Sequence, residues 1–474
     1  MGTRAIGLVV AVMVAWGATA FGGTEVPPYG PPLLDAGADV DTLFAKWGAS
    51  TPGCAVGVAV DGKPVLTRAY GMADLEHAVP NTPDTIFEAG SVSKQFTAAA
   101  ILILEQEGKL SLDDQARKYL PELPEYGVPL TIRHMLTHTS GLRDWGSVAA
   151  VAGWPRTTRA YTHDHVLEIV SKQKALNFTP GDHYSYSNTG YNLSAIIVSR
   201  VSGMSFADFT RQRLFEPLGM AHTSWRDDYR RIVKGRAIAY ADTQGTFQTL
   251  MPFENVHGNG GLLTTVGDLL IWNEHLASPG PAEAARVRRQ QELGRFPDGR
   301  PHDYALGLSI ATYRGVRNVS HSGSTAGYVA HLNRFPEAHT SVAVLCNVTS
   351  GNATRQAFAV SDLYLASRLT PAPAPTKPEP PAPPMSPAPT SDQLEAFVGV
   401  YDSDEAETTL TAAVEGGALV LKRRPATTIT LTAIGPDTFR GSIGEVRFHK
   451  DASGRVTSLS VKQDRVWALR FARR

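Results

Sequence analysis

Apolar residues divide the first three quarters of the chain into strand-like ends around a helical middle. Two apolar runs, 54–60 and 64–70, flank Asp61-Gly62-Lys63 and predict a β-hairpin. Helical spacing then dominates up to about Leu276. A last helix is predicted over 353–369, so this region is of the α/β class, with one sheet assembled from distant segments. Further strands are predicted before that helix, at 304–312, 329–335 and 340–347.

A change in composition sets apart a second, smaller unit. Half of the residues in 371–390 are proline, which predicts a semi-rigid linker. Residues 391–474 then carry short apolar runs separated by turns, which predicts a small antiparallel β-barrel. No cluster of catalytic residue types lies in this segment, so we expect it to serve substrate gating or assembly. Its strands are predicted at 408–410, 418–422, 428–433, 446–449, 456–461 and 466–471.

Candidate chemistry begins where a buried helix is predicted, over residues 92–106. Ser91 lies at its N-terminus, where free backbone N–H groups and the helix dipole favour a developing oxyanion. Lys94 follows about one turn later and returns to the same face. A desolvated lysine can take the proton of a serine and so make it a nucleophile. The alternative is an ordinary capping serine followed by a surface lysine.

The same Ser-x-x-Lys spacing recurs at Ser171 and Lys174, but in unfavourable surroundings. The amphipathic stretch 164–174 ends here, where the helix dipole opposes an oxyanion and favours lysine. We therefore interpret this second copy as a solvated helix face.

Tyr186 and Asn188 follow a turn at 178–182 and precede a helix predicted over 191–201. Two side chains at this spacing in a loop can point into one cleft. Nearby ammonium groups favour a phenolate, so Tyr186 can share the role of base with Lys94. The Asn188 amide can both donate to and accept from a substrate amide. The alternative is an aromatic turn packed on the core, with Asn188 capping the next helix.

The third candidate is His321-Ser322-Gly323, just before the strand predicted at 329–335. Glycine allows a ligand to approach the backbone closely, and a strand edge offers unpaired N–H and C=O groups. The alternative is a glycine-rich hairpin with a surface histidine.

The motifs at Ser91–Lys94, Tyr186–Asn188 and His321–Gly323 together resemble those of the serine penicillin-recognising enzymes. The resemblance is to the branch of class C β-lactamases and D-alanyl-D-alanine carboxypeptidase B, with its esterase and D-aminopeptidase relatives. It spans about 39–367 and includes the segments Leu136-Thr137-His138-Thr139-Ser140-Gly141-Leu142 and Gly260-Gly261-Leu262. It implies a β-lactamase-like antiparallel sheet flanked by helices, with a helical subdomain. The opening of the C-terminal unit similarly resembles the lipocalin-like domains appended to some members.

The resemblance also implies roles for individual residues. Ser91 would be the acylated nucleophile, Lys94 its proton partner and Tyr186 the general base. The backbone N–H groups of Ser91 and Ser324 would form the oxyanion hole. The positions implied in substrate binding are Asn188, His321, Gly323 and Ser324.

The third motif departs from the pattern, because lysine usually stands where this chain has His321. A neutral imidazole attracts a carboxylate far less than an ammonium group does. The sequence therefore predicts a serine hydrolase that cleaves ester or amide bonds through an acyl-enzyme, of the esterase or D-aminopeptidase kind. The alternatives are a D,D-carboxypeptidase or weak β-lactamase, and a penicillin-binding sensor that is acylated once without turnover.

The composition and the N-terminal residues limit the kinds of partner and the cellular location that we expect. Lys+Arg and Asp+Glu both number 45, so nothing argues for nucleic acid or an anionic membrane surface as partner. Arg4, an apolar run and Ala18-Thr19-Ala20 predict a signal peptide at 1–20, and hence a periplasmic or secreted protein. The alternative is an uncleaved membrane anchor. The predicted domains are then a hydrolase domain at 35–370, the linker at 371–390 and the barrel at 391–474.

The two cysteines, Cys54 and Cys346, lie in apolar strand-like runs. Export permits a disulfide, and the resemblance implies that the first and last strands of the sheet are neighbours. Because disulfide geometry is demanding, we nevertheless expect two buried thiols. His163-Asp164-His165 is an isolated polar triplet, so we expect no metal and no other cofactor. The expected partner is a small ester, amide or peptide substrate.

Overall fold

The computed structural model describes residues 36–372 and 388–474. The predicted signal peptide and most of the predicted linker lie outside these residues. Within the two described ranges, no helix is long and apolar enough to cross a membrane.

The first described range contains thirteen strands and eleven α-helices, besides short 3-10 and π-helical turns. The strands are β1 Cys54–Val60, β2 Lys63–Tyr70, β3 Met72–Asp74, β4 Val79–Pro80, β5 Phe87–Glu88, β6 Ser224–Trp225, β7 Tyr240–Thr243, β8 Thr246–Thr249, β9 Leu262–Thr264, β10 Ser309–Tyr313, β11 Val316–Thr325, β12 Tyr328–Phe335 and β13 Thr340–Cys346. The helices are α1 Gly37–Phe44, α2 Lys94–Gln106, α3 Ile132–Leu136, α4 Trp145–Val151, α5 His163–Ser171, α6 Asn188–Ser202, α7 Phe206–Thr210, α8 Glu216–Leu218, α9 Val266–Ala277, α10 Ala284–Gln290 and α11 Ala353–Tyr364.

The main sheet has six strands in the order β10-β11-β12-β13-β1-β2, and every neighbouring pair is antiparallel. β1 is buried along its whole length, because helices cover both faces of the sheet. Val56 and Val58 belong to the apolar cluster with α1 and α11, whereas Ala55 and Ala59 belong to the cluster with α2 and α9. Successive side chains thus serve opposite faces, as the two-residue period of a strand requires. The predicted sheet of distant segments is confirmed.

Cys54 and Cys346 form a disulfide across β1 and β13, so the expectation of two free thiols is wrong. The antiparallel register places the two residues directly opposite each other, with their Cα atoms 4.0 Å apart. Cross-strand register depends on long-range pairing, and the apolar pattern around each cysteine carries no information about it.

Two predicted elements of this region differ from the observed ones. The strand expected at 304–312 begins only at Ser309, because residues 305–308 form a tight turn in which Ala305 N donates to Leu308 O. β11 contains the third motif, although its serine and histidine residues resemble a loop in the sequence.

The C-terminal unit is a nearly closed antiparallel barrel, as predicted. Its elements are α12 Ser391–Glu395, β14 Gly399–Ser403, β15 Thr408–Glu415, β16 Ala418–Arg423, β17 Thr427–Thr430, β18 Thr432–Gly435, β19 Thr438–Gly441, β20 Gly444–Lys450, β21 Val456–Gln463 and β22 Val466–Arg473. The nine strands follow the order β17-β16-β15-β14-β22-β21-β20-β19-β18. The strand expected at 428–433 is interrupted at Leu431 and forms two strands.

The barrel packs against α4 and the end of α5. Val148 and Val151 of α4 are buried within the apolar cluster of the barrel itself. Arg143, just before α4, forms a buried ion pair with Glu405 at 2.6 Å. Lys174 of the second Ser-x-x-Lys pattern forms an exposed ion pair with Asp404 at 2.8 Å, so its side chain is solvated as predicted. The two units share part of one core.

Candidate active site

The nucleophile candidate Ser91 lies in a 3-10 turn, Gly90–Ser93, that leads directly into α2. The turn is fixed from inside, because Ser93 Oγ donates to Gly90 O at 2.6 Å and accepts from Leu262 N at 3.1 Å. Lys94 is the first residue of α2 and is fully buried. The alternative of a surface lysine beside a capping serine is therefore wrong.

Lys94 Nζ makes three polar contacts, one with the candidate nucleophile. It lies 3.0 Å from Ser91 Oγ, 2.9 Å from Asn188 Oδ1 and 2.7 Å from Asn259 O. Burial, followed by the positive charge of Arg465, holds the pKa of Lys94 well below its ordinary value. A neutral amine has two N–H groups and one lone pair, and the two oxygens that can only accept use both N–H groups. The lone pair is then left for the Ser91 hydroxyl proton.

Tyr186 completes the group around Ser91, and Lys94 Nζ lies 4.8 Å from the centre of its ring. Burial raises the pKa of Tyr186 to about 12, and a hydrogen bond with Ser91 only partly offsets this. The expected phenolate is therefore wrong at neutral pH, because desolvation outweighs the nearby positive charges. The phenol remains a proton donor. Its ring packs against His138, with ring centres 4.2 Å apart.

His138, which packs against Tyr186, is buried and neutral. Burial and then the charge of Lys94 hold its pKa well below the ordinary value. Ser187 N donates to Nδ1 at 3.2 Å, so the proton resides on Nε2. Nε2 has no hydrogen-bond partner among the described residues. The ring serves to support Tyr186.

Asn188 begins α6, but its side chain does not cap that helix. Oδ1 accepts from Lys94, while the backbone N–H donates to Asp144 Oδ2 at 2.8 Å. In the described part of the chain the amide nitrogen Nδ2 has no protein acceptor, so it is available to a substrate carbonyl. The predicted convergence of Tyr186 and Asn188 on one cleft is seen.

The edge of β11 closes the other side of the cleft. β10 pairs with β11 only as far as Ser320, so from His321 onward this edge is not covered by β10. Gly90 and Gly323 allow the nucleophile turn to touch it. A Cβ atom on Gly323 would lie 2.9 Å from Ser91 N, and one on Gly90 would lie 2.5 Å from Ser324 N. The backbone nitrogens expected to form an oxyanion hole are thus brought to one place.

His321 is buried and lies on this strand, so the alternative of a surface histidine is wrong. Nδ1–H donates to Ser322 O at 2.6 Å, and Nε2 accepts from Tyr304 Oη at 2.9 Å. Burial and then the charge of Lys94 lower its pKa to about 3. Both nitrogens are occupied and the ring is neutral, so His321 offers no charge to a carboxylate.

Several residues of the site have no clear signal in the sequence. Asn259 lies next to the Gly260-Gly261 pair, and its Oδ1 accepts from Asn192 Nδ2 at 2.6 Å. Asp144 is the N-cap of α4, with Oδ1 accepting from Ser147 N at 3.0 Å. An aspartate that accepts from the backbone N–H three residues later is an ordinary helix cap, and the second role of Asp144, toward Asn188, depends on the fold.

Arg465 is a further residue of the site without a signal in the sequence, and it belongs to the barrel. Its guanidinium carbon lies 4.8 Å from the centre of the Tyr186 ring. Residues 464–465 connect β21 with β22, so this turn of the barrel forms part of the cleft wall.

Comparison with known proteins shows the family of this chain. The family model described as Beta-lactamase matches residues 40–365. Penicillin-binding protein 4* of Bacillus subtilis (strain 168) is 30% identical over 337 residues, which cover 67% of this chain and 73% of that protein. D-aminopeptidase of Gluconobacter oxydans (strain 621H) is 29% identical over 372 residues, which cover 77% of this chain and 66% of that protein.

A solved structure supports the fold over nearly the whole chain. The octameric penicillin-binding protein homologue from Pyrococcus abyssi superimposes with a TM-score of 0.62 and 24% identity, over 92% of this chain and 98% of that one. The family match covers the sheet, the helical region and all three motifs. The chain therefore belongs to the beta-lactamase family and is a serine hydrolase of that family.

Proposed function

We propose that this hydrolase cleaves ester or amide bonds of small substrates through an acyl-enzyme on Ser91, as an esterase or a D-aminopeptidase-like enzyme. The observation that carries the proposal is the contact of 3.0 Å between Lys94 Nζ and Ser91 Oγ, in which the amine has its lone pair free for the serine proton. The similarity to a D-aminopeptidase supports the amide-cleaving side of the proposal.

In acylation, neutral Lys94 takes the Ser91 proton while Oγ attacks the substrate carbonyl carbon. The backbone N–H groups of Ser91 and Ser324 donate to the oxyanion. When the tetrahedral intermediate collapses, the Tyr186 phenol gives its proton to the leaving group, and the Lys94 ammonium then returns a proton to the Tyr186 phenolate. Water then enters in place of the leaving group, and the same groups act in reverse to release the acid.

The neutral state of His321 weighs against the alternatives that need a fixed charge at this place. A D,D-carboxypeptidase or a β-lactamase binds a carboxylate, and His321 has no free N–H and no charge to offer it. The remaining alternative is a sensor that is acylated without turnover. The intact pair of Lys94 and Tyr186 favours turnover, because both proton-transfer groups of deacylation are in place.

We also propose that the protein is exported to the periplasm or secreted. The predicted signal peptide supports this, and so does the disulfide between Cys54 and Cys346, since disulfides persist in oxidising compartments. Sequencing the N-terminus of the protein recovered from periplasm and medium tests the proposal. A chain that keeps Met1 and stays in the cytoplasm would contradict it.

Incubation with a fluorophosphonate probe, followed by intact-mass measurement, tests the acyl-enzyme. We expect stoichiometric labelling of the native protein and of Ser171→Ala, the matched control in the second Ser-x-x-Lys pattern, and none of Ser91→Ala. The native protein and Ser171→Ala should also turn over p-nitrophenyl esters and D-amino acid p-nitroanilides, whereas Ser91→Ala should not. Labelling that persists in Ser91→Ala would overturn the assignment, and labelling without turnover would favour the sensor.

A further inference from the structure

We propose that Arg465, which the barrel carries into the active-site cleft, binds a carboxylate of the substrate and makes the enzyme select anionic over cationic substrates. The proposal rests on the proposed function, since it concerns the substrate class of the same site. It assigns the barrel a direct part in recognition.

The turn that bears Arg465 is fixed to the catalytic region by several hydrogen bonds. Asp144 N and Asn177 Nδ2 both donate to Arg465 O, each at 3.2 Å. Trp467 N donates to Asn177 Oδ1 at 2.8 Å, and the Trp467 ring packs on Phe178 with centres 5.0 Å apart. Asp144 also holds the backbone of Asn188, so the turn and the catalytic motif share one anchor.

In the ranges that the structure describes, the guanidinium of Arg465 has its hydrogen-bond donors free. It is half-buried and lies over the Tyr186 ring at 4.8 Å. Among the described residues it donates no hydrogen bond and has no carboxylate within ion-pair distance. A half-buried arginine with its donors free can form a two-point contact with a carboxylate.

The other cations near the site cannot take this role. Arg156 is paired with Glu254, and Arg226 is paired with Glu88. The pKa of Lys94 is held well below its ordinary value by burial and then by Arg465. With His321 neutral, Arg465 is the cation of this cleft that has no counter-ion in the described part of the chain.

Its charge has opposite consequences for the substrate classes left open above. A carboxylate within reach of Arg465 gains a charge-assisted hydrogen bond, whereas the free ammonium of a D-amino acid amide is repelled. Within the proposed function, the cleft therefore favours esters and D-amino acid amides whose amine is blocked, above all by an acid-bearing group, over the free D-amino acid amides of an aminopeptidase.

The test compares substrates that differ in charge alone as far as possible, at pH 7. D-alanine p-nitroanilide carries an ammonium, its N-acetyl form is neutral and its N-succinyl form carries a carboxylate on the acyl side. Phenyl acetate and 4-carboxyphenyl acetate place the carboxylate on the leaving group instead. kcat/KM is measured for native protein, Arg465→Gln, Arg465→Lys and Arg470→Gln, an exposed position on β22 as the control.

In Arg465→Gln we expect the kcat/KM ratio of a carboxylate substrate to its neutral partner to fall about tenfold to hundredfold, the scale of one charge-assisted contact. The ratio of ammonium to neutral substrate should rise. Arg465→Lys should keep most of the selectivity, and Arg470→Gln all of it. If the ratio changes for the p-nitroanilides, Arg465 binds a carboxylate on the acyl side. If it changes for the phenyl acetates, Arg465 binds one on the leaving group.

Unchanged ratios in Arg465→Gln, or an equal loss for all substrates, would overturn this inference while leaving the proposed function in place. An equal loss would mean that Arg465 acts only by positioning Tyr186 or by tuning Lys94. If the native protein neither turns over any of these substrates nor reacts with the fluorophosphonate, the proposed function fails, and this inference fails with it.

Discussion

Glu88 and Arg226 form a fully buried, two-point ion pair just before the nucleophile turn. Arg226 Nε and Nη2 donate to the two carboxylate oxygens at 2.8 and 3.1 Å. Glu88 ends β5, and Ser91 follows after Ala89 and Gly90. The pair therefore connects the strand β5 to the segment that contains Arg226, and it fixes where the turn begins.

Replacing Arg226 by Met should destabilise the protein by about 3–5 kcal/mol, because it leaves the Glu88 charge buried without its main partner. Urea unfolding followed by circular dichroism measures this. The double variant Glu88→Leu/Arg226→Met should be more stable than Arg226→Met alone, since the buried Glu88 carboxylate is removed together with its main partner and only the longer contact of Arg236 with Glu88, at 3.6 Å, is lost besides. Arg230→Met, at an exposed ion pair, should change stability little. A single variant as stable as the native protein would contradict the argument.

Lys94→Ala and Tyr186→Phe should each lower kcat by about a hundredfold or more, the usual contribution of a positioned acid–base group. Tyr186→Phe keeps the ring that packs on His138, so its circular dichroism spectrum and melting temperature should stay close to the native ones. The measurement is steady-state turnover of one neutral ester. A native rate in Tyr186→Phe would confine proton transfer to Lys94.

The sequence predicts best those parts of the fold that are buried and regular. β1 is a continuous apolar run, β12 and β13 are largely apolar, and the helix at 92–106 has a clear period, so their bounds agree within a few residues. β11 was missed because its serine, histidine and glycine residues serve the site rather than the core. Ser91 and Lys94 could be paired because one helical turn joins them.

The remaining parts of the site depend on contacts between distant segments. The distance from Lys94 to Asn259 O, the disulfide and the position of Arg465 all follow from packing that no local pattern reports. The pKa of Tyr186 was expected to fall because charges lie near it, and it rises because the degree of burial decides the balance. Burial of a particular hydroxyl is a property of the folded chain.

Gly323→Ala should lower kcat/KM by about a hundredfold or more, the scale of a lost oxyanion donor. The added Cβ would lie 2.0 Å from Ala89 O and 2.9 Å from Ser91 N, so the strand and the nucleophile turn must separate. Gly267→Ala on α9 is the control, because its Cβ would meet only Thr265 Oγ1, at 3.7 Å. Native activity in Gly323→Ala would show that the strand edge does not contribute to the oxyanion hole.

The rate of acylation should rise with pH as Lys94 loses its proton, which gives the pH profile an ascending limb. Because the pKa of Lys94 is lowered from 10.5, this limb lies below pH 10.5. Arg465 is one cause of the lowering, so Arg465→Gln raises the pKa of Lys94 and shifts the limb to higher pH. His321, with a pKa of about 3, stays neutral and adds no inflection between pH 5 and 8. Single-turnover rates with a neutral ester measure this, and a limb that moves to lower pH in Arg465→Gln would contradict the assignment.

A chain that ends near Leu369 tests whether the barrel is an independent domain, as the proline-rich segment predicts. Val148 and Val151 of α4 are buried in the apolar cluster of the barrel, and removal of the barrel exposes them. Each fully buried valine contributes about 1.5–3 kcal/mol through its burial. We therefore expect the shortened chain to fold around its own larger core, but to unfold at lower urea, to bind a hydrophobic dye and to associate.

The matched control is the same shortened chain with Val148→Thr and Val151→Thr, which should bind less dye and remain monomeric in sedimentation experiments. Both shortened proteins lack Arg465, so the selectivity for carboxylate substrates should be lost in both. A shortened chain that matches the full protein in stability and dye binding would show that the shared cluster contributes little. A chain that does not fold at all, even with both threonines, would make the barrel an essential part of the catalytic core and contradict the predicted boundary.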